Sequence, residues 1–375
     1  MTVPAPTTTT ARLDLVYRLA QAFNSSLHLN QVLNTVIDEV IVLMNAERGF
    51  VMLLDESGQL EFRVAHGIDQ QSIQEPDFQV SRSVIEKVER DRVPVITTDA
   101  QKDDRFALQQ SIVTLGLRSI LCVPLEIKER IIGIIYVDHR MVSGVFSLED
   151  RDLLTSIASS AAIAIDNARL FDDLQKSKSD LEIAYDTTLE GWAKALELRD
   201  QVTEGHTRRV TEMTVGLAKA LGVQKSDLVH IRRGALLHDI GKMGIPDSIL
   251  RKPGPLTSDE YKIMKKHTDF AQEMLGPIEF LRPALEIPYC HHERWDGSGY
   301  PRGLKHLQIP LSARLFSIVD VWDALTSNRP YRDGWAEEQT TDYLLKQAGK
   351  HFDPFVVKVF VHMLKNNLFP KDNPE

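Results

Sequence analysis

The sequence predicts an α+β chain: an antiparallel sheet flanked by helices, then a long connecting helix, then an all-helical bundle. Three observations carry this. Short Val- and Ile-rich runs separated by turn residues occupy the stretch 48–139. A helical pattern without proline follows from Glu149 toward Asp200. Beyond it, histidines and carboxylates recur within helical segments. At 375 residues the chain is long enough for two domains with separate cores.

Taken in order, residues 1–11 (MTVPAPTTTTA) have neither the basic start nor the apolar centre of a signal peptide, and are expected to be a disordered tail. Residues 12–168 are expected to form the first domain. Leu13 to Asn45 has helical spacing, with Asn30 as the expected cap of QVLNTVIDEVIVLM. RGFVMLLD, QLEFRVAHG, VPVITT, RSILCVPLEI and RIIGIIYVDH read as strands. Cys122 sits among apolar neighbours and reads as core packing.

Residues 150–190 read as a signalling helix. Leu154, Ile157, Ala161, Ala164, Ala168 and Phe171 are spaced alternately three and four apart, as a coiled-coil seam requires. The seam then slips, continuing through Leu174, Leu181, Tyr185, Thr188 and Trp192. A parallel homodimer through the first domain and this helix is expected; the plain alternative is a helix packed only on its own domains.

A net charge of −9 and a pI near 5.8 with no basic stripe argue against a nucleic-acid binder. No stretch reaches the roughly 18 apolar residues of a membrane span. Two cysteines, Cys122 and Cys290, exclude a disulfide scaffold and fit a reducing cytoplasm.

The second domain, 185–370, carries the chemistry. His238 and Asp239 interrupt the apolar run Ala235–Leu236–Leu237, and burying such a pair is costly unless a cation or hydrogen bonds compensate. In isolation, a hydrogen-bonded pair capping a helix end would be the better explanation. The wider inventory favours metal: His206, His238, Asp239, His267, His291, His292 and Asp320 form a set of nitrogen and oxygen ligands that a bundle can aim inward. Asp239, with two oxygens to share, is the expected bridge between two ions. Lys242 adds a fixed positive charge beside them. Thr257 and Glu260 form a capping box for the helix expected to carry His267. GKMGIPDSILRKPGPLTSDE, dense in Gly and Pro, is expected to be a surface loop.

The order His206, His238-Asp239 with Gly241-Lys242, His267, then HHERWDGSGYP at 291–301, Asp320, DALTSNRPYR at 323–332 and HFDP at 351–354 resembles the HD-GYP family of HD-superfamily phosphohydrolases. The resemblance covers about 185–370. Likewise RSILCVPL, IIGIIYVDH and a helix from Ser147 resemble a GAF sensor domain, for which the residues choose no ligand.

The resemblance implies an HD-superfamily bundle hydrolysing cyclic di-GMP to pGpG or GMP, with two divalent ions, iron or manganese, as cofactors. Some relatives hold a third ion with a carboxylate four residues before the first histidine. Here that position is Val202, and Glu204 lies about 160° further round the helix, so two ions are expected.

Asp200 is implied near the substrate's guanine, and Lys242 beside the charge developing on phosphate, with a share in protonating the leaving group. Tyr300 is expected to touch substrate, and Arg329 and Arg332 to grip phosphate through paired donors. Gly297 and Gly299 would let backbone approach a ligand, Asp296 would orient the histidines, and Asp323 would brace the fold behind Asp320. The GYP loop is further implied as a docking site for diguanylate cyclases (GGDEF proteins). The expected step is attack of hydroxide on phosphorus, the ions lowering the pKa of water. Two alternatives remain open: a non-catalytic cyclic-dinucleotide sensor, and a phosphohydrolase for another cyclic dinucleotide.

Overall fold

The computed structural model describes residues 9–23, 25–67, 80–107, 109–200, 205–328 and 333–369. Contacts divide the chain into two compact units, Met1–Asp180 and Leu181–Glu375.

In the first unit, helices α1 (Thr9–Phe23) and α2 (Leu29–Met44) precede strands β1 (Arg48–Leu54) and β2 (Leu60–Gly67). Helix α3 (Arg82–Asp91), β3 (Val95–Thr97), α4 (Gln110–Leu115), β4 (Ser119–Ile127) and β5 (Arg130–His139) follow. The strands form an antiparallel sheet ordered β2-β1-β5-β4-β3. Period-two alternation gives each face its own core. Val51, Leu53, Leu121, Val123, Ile135 and Val137 pack against α2. Phe50, Met52, Cys122, Ile134 and Tyr136 pack against Val84, Ile85 and Val88 of α3.

Two details depart from expectation. Helix α1 begins at Thr9, inside the stretch read as a tail, of which residues 1–8 lie outside the described residues. Asn30 is not a cap: α2 opens at Leu29, where Ser26 Oγ accepts the His28 N–H at 3.0 Å and donates to Gln31 Oε1 at 2.6 Å, so the break falls before Asn30.

Two buried polar groups in this unit are closed in pairs. Arg48 and Asp138 are cross-strand partners, with Nε donating to Oδ1 at 2.9 Å. His66 Nδ1 lies 2.6 Å from Asp38 Oδ1. Burial pushes the Cys122 thiol up, as expected of core packing.

Helix α5 (Leu148–Asp200) changes the reading of the seam. Leu154, Ile157, Ala161, Ala164 and Ala168 are not free to pair with another chain, because all five are buried in the core on the α2 face of their own unit. Phe171 is partly covered, its ring edge-on to His28. About 140° round the helix, Ile163, Leu170 and Leu174 are exposed.

The second unit holds the end of α5 and α6 (His206–Ala220), α7 (Lys225–Leu236), α8 (Asp247–Leu250), α9 (Ser258–Lys265) and α10 (His267–Leu275). It continues through α11 (Glu286–Cys290), α12 (Leu311–Thr326), α13 (Glu337–Gln347) and α14 (Pro354–Lys365). Its main core joins Val210 and Leu217 of α6, Ile231 and Ala235 of α7, Leu315, Phe316, Ile318 and Val319 of α12, and Val356, Val357 and Phe360 of α14. Leu181 and Trp192 on α5 are exposed, and Tyr185 stacks on Phe280 with centroids 4.8 Å apart.

The segment expected to be a surface loop is partly helical and partly buried. A 3-10 turn (Ile240–Gly244) leads into it and α8 lies within it, with Ile245 and Ile249 buried. The physical reason lies at Gly241, where a Cβ would overlap the His267 carbonyl oxygen, so the turn lies directly on α10.

Candidate metal centre

Each expected ligand sits at the end of a helix or on the inward side of one. His206 is the first residue of α6, following Gly205 in the left-handed conformation. Its Nδ1 lies 2.7 Å from Asp323 Oδ2, and its Nε2 lies 3.5 Å from Asp320 Oδ1. Asp320 and Asp323 are three apart on α12 and therefore share a side. Asp323 also accepts from Arg209 Nε at 2.7 Å. Burial alone would raise the Asp323 carboxyl, but these two partners bring it down to about 2.

His238 and Asp239 lie just past α7 rather than on it. His238 Nδ1 donates to the Ala235 carbonyl at 2.8 Å, so the capping alternative is half true, and Nε2 is left facing Asp239 Oδ2 at 3.1 Å. The capping box forms as expected, but α9 ends at Lys265, and His267 opens α10. His291 and His292 follow α11.

The ligand atoms of His206, His238 and Asp320 lie within 4.8 Å of one another, as do those of His267, His291 and His292. Asp239 stands between the two triads. Its Oδ2 faces His238 and the Lys242 ammonium, the latter at 2.7 Å. Its Oδ1 lies 3.8 Å from His267 Nε2 and 3.9 Å from His291 Nε2.

Do these residues fit metal ions? His267 Nδ1 donates to the Met264 carbonyl at 2.8 Å and His291 Nδ1 to the Ile287 carbonyl at 3.0 Å. Each ring therefore carries its proton on Nδ1 and turns a bare Nε2 inward. Both Nε2 atoms are buried without a hydrogen-bond partner. Unpartnered buried acceptors are costly, and a cation would satisfy both. An imidazole and carboxylate donor set suits a divalent transition metal.

The electrostatics agree. Burial and neighbouring imidazoles hold His291 well below the usual histidine range, push His292 down to about 3 and lower His267, so all three are neutral donors. Burial would also lower His238, but Asp239 outweighs it and raises that ring. Burial would raise the Asp239 carboxyl, yet Lys242 and His238 hold it well below the carboxylate range.

Around this centre, Asp200 at the end of α5 accepts from Lys242 Nζ at 2.8 Å. Tyr300 is half-buried, its ring 4.8 Å from that of His292. Arg329, Arg332, Val202 and Glu204 lie outside the described residues. Cys290 turns away from the histidines into an apolar cluster with Ile309 and Ala313.

Two expectations for the loop after His292 are corrected. Asp296 orients no histidine; it is exposed and accepts from the Ser298 backbone N–H at 2.9 Å and hydroxyl at 2.6 Å, closing its own turn. Gly297 and Gly299 serve the loop's own packing: a Cβ at Gly297 would strike the Lys305 side chain, and one at Gly299 the 292–294 backbone.

The residue the sequence did not reveal is Glu293. It is almost fully buried and accepts from the Arg302 and Leu304 N–H groups at 2.7 and 3.0 Å, anchoring both ends of the loop. Its adjacency to His292 was the available signal, but a charged residue in a Gly-rich stretch reads as surface.

Residues 192–356 match the HD domain family model and residues 26–166 the GAF domain model. A relative named 3'3'-cGAMP-specific phosphodiesterase 2, from Vibrio cholerae serotype O1, is 38% identical over 56% of this chain and 40% of its own length. The cyclic di-GMP phosphodiesterase response regulator RpfG of Xanthomonas campestris pv. campestris is 41% identical over 48% of each chain. A cyclic di-GMP phosphodiesterase of Thermotoga maritima is 43% identical over 45% of this chain and 46% of its own length. The chain spans less than half the length of these curated relatives. Among the described residues, no helix is long and apolar enough to cross a membrane.

Proposed function

We propose, from the premise that this chain joins a GAF domain to an HD domain, that it is a cytoplasmic metal-dependent phosphodiesterase that opens cyclic di-GMP to pGpG or on to GMP, under control of the GAF domain. The observation that carries the reading is the pair of triads on either side of Asp239, the second of them holding two bare imidazole nitrogens, those of His267 and His291. His206, His238 and Asp320 would hold one divalent ion and His267, His291 and His292 the other, with Asp239 touching both. Iron or manganese is the choice the family resemblance favours. Ions bound there would supply hydroxide near neutral pH and charge to oppose that of the phosphate.

The chain's own residues do the rest. Lys242 presents a cation beside Asp239, where the scissile phosphate would rest. Burial would lower its pKa, but Asp239 and Asp200 outweigh this and raise it, which suits a fixed charge and works against the proton-donor role expected from sequence. Asp200 and Tyr300 flank the centre as substrate contacts, and Arg329 with Arg332 would hold phosphate oxygens. Asp323 keeps His206 in its donor tautomer.

A second reading concerns the base rather than the chemistry. A relative at 38% identity is named for 3'3'-cGAMP, so the mixed cyclic dinucleotide is the rival substrate. The non-catalytic alternative is disfavoured, because every expected ligand position carries a donor residue. Hydrolysis of a panel of cyclic dinucleotides by the metal-loaded chain, with metal content measured, decides among them. Cyclic di-GMP turned over at least about tenfold faster than 3'3'-cGAMP supports the first reading, and the reverse preference supports the second. No turnover with two ions bound overturns both.

The homodimer belongs to the same proposal, with its contact surface revised. Since the 154–168 seam is consumed within the first unit, pairing uses the exposed side: Ile163, Leu170 and Leu174 recur at intervals of seven and four, within about 20° of one line. A parallel copy would set exposed Asp173 against the partner's Lys178, an attractive pair across the seam. Leu174→Asp should turn a dimer into a monomer by light scattering, and a wild-type monomer at micromolar concentration would exclude the pairing. The GYP loop is proposed, on resemblance, as the docking face for a GGDEF partner.

A further inference from the structure

Arg199, one residue before the end of α5, has no part in the chemistry proposed for this centre, yet its guanidinium is spent on the segment that carries Lys242. Nη1 donates to the carbonyls of Met243 at 2.8 Å and Lys242 at 3.3 Å. Nη2 donates to the Ile245 carbonyl at 2.8 Å and to Asp247 Oδ1 at 2.9 Å, and Nε to the same oxygen at 3.1 Å. An arginine has five N–H donors, and this geometry gives each of them an acceptor within residues 242–247.

The acceptors explain the fit. The carbonyls of Lys242 and Met243 belong to a 3-10 turn, and that of Ile245 follows directly; the Lys242 oxygen also accepts the Ile245 N–H at 3.0 Å and keeps a second lone pair for Arg199. A planar fork can gather three such oxygens and a carboxylate, whereas an ammonium cannot span them. The opposite side of the turn is already fixed, because Gly241 lies against the His267 backbone. Next along α5, Asp200 takes the Lys242 ammonium at 2.8 Å. Two consecutive residues therefore hold Lys242, one through its main chain and the other through its side chain.

We infer that Arg199 is a positioning residue: it fixes the main chain from Lys242 to Ile245 and so keeps the Lys242 ammonium between Asp200 and Asp239. Its consequence for turnover rests on the proposed role of Lys242 at the substrate phosphate, whereas the clamp itself does not.

The test uses the full chain with Arg199→Ala, Arg199→Lys and Asp247→Asn, the last of which removes the carboxylate pair but leaves the carbonyl clamp. Amide hydrogen exchange across 240–245 in metal-free protein should speed up about tenfold or more in both Arg199 variants and change little in Asp247→Asn. In metal-loaded protein the Arg199 variants should lose about ten- to a hundredfold in kcat, with KM and metal content within about twofold of wild type, since small displacements of a reacting group carry losses of that size. Millimolar guanidinium should restore part of the kcat of Arg199→Ala and none of that of Arg199→Lys. Unchanged exchange in the Arg199 variants, or a kcat loss that merely follows lost metal, would overturn the inference. If Arg199→Ala does not fold, Arg199→Lys and its exchange pattern decide alone. If wild type cleaves no cyclic dinucleotide, the functional reading fails while the exchange result still decides about Arg199.

Discussion

Two sites, one in each unit, bury polar groups in opposite ways. In the first, Arg48 meets Asp138 across the sheet and His66 meets Asp38, and both faces of the sheet are filled by apolar side chains. In the second, histidines from three separate segments bring bare nitrogens to one carboxylate, and two of those nitrogens have no partner. A closed polar pair satisfies itself and leaves nothing for a ligand. An open set carries an uncompensated cost that only binding relieves, which is why the chemistry is assigned to the second unit.

The sharpest way to break this contrast is Asp239→Ala. Removing the carboxylate between the triads should abolish metal loading and lower turnover by on the order of a thousandfold, with the fold of the first unit intact. Wild-type metal content in this variant would contradict the bridge. Asp323→Asn should act next most strongly: losing the carboxylate behind His206 is expected to weaken metal affinity about ten- to a hundredfold by competition with a chelator.

The closed side predicts a different signature. Asp138→Asn leaves Arg48 buried with a neutral partner and should destabilise the first unit by about 3–5 kcal/mol in denaturant melts while metal content stays at the wild-type value. A loss of metal in that variant would erase the distinction between the units.

The smallest expected effect is one of pH. His267, His291 and His292 have folded pKa values below the ordinary 6.5, that of His292 near 3. Below about pH 6.5 the unfolded chain therefore takes up protons that the folded one refuses, and the metal-free second unit should lose stability as pH falls. His238, raised by Asp239, works in the opposite sense: its contribution is present below 6.5 and lost as pH rises through its folded value. With His351, which burial lowers to about 4, four lowered groups against one raised predict a lower melting temperature at pH 5 than at pH 7. His292→Gln should shrink that difference.

How far was this legible from residues alone? The strands were, because short Val- and Ile-rich runs between turn residues encode a sheet locally. The gathering of the candidate donors was too, since His and Asp are conspicuous within apolar runs. Three things were not. The face of α5 that pairs with its own sheet cannot be told from one that pairs with a second chain, as both demand the same apolar spacing. Glu293 and Arg199 were not legible because their partners are mostly backbone groups, which carry no residue signature in a sequence. The turn after Asp239 reads as a loop because its glycines suggest freedom, whereas Gly241 is there for close contact with α10.

Anomalous diffraction from crystals of the metal-loaded full chain tests the central claim most directly. Two peaks flanking Asp239 are predicted, one among His206, His238 and Asp320 and the other among His267, His291 and His292. A single peak, or density away from Asp239, would contradict it.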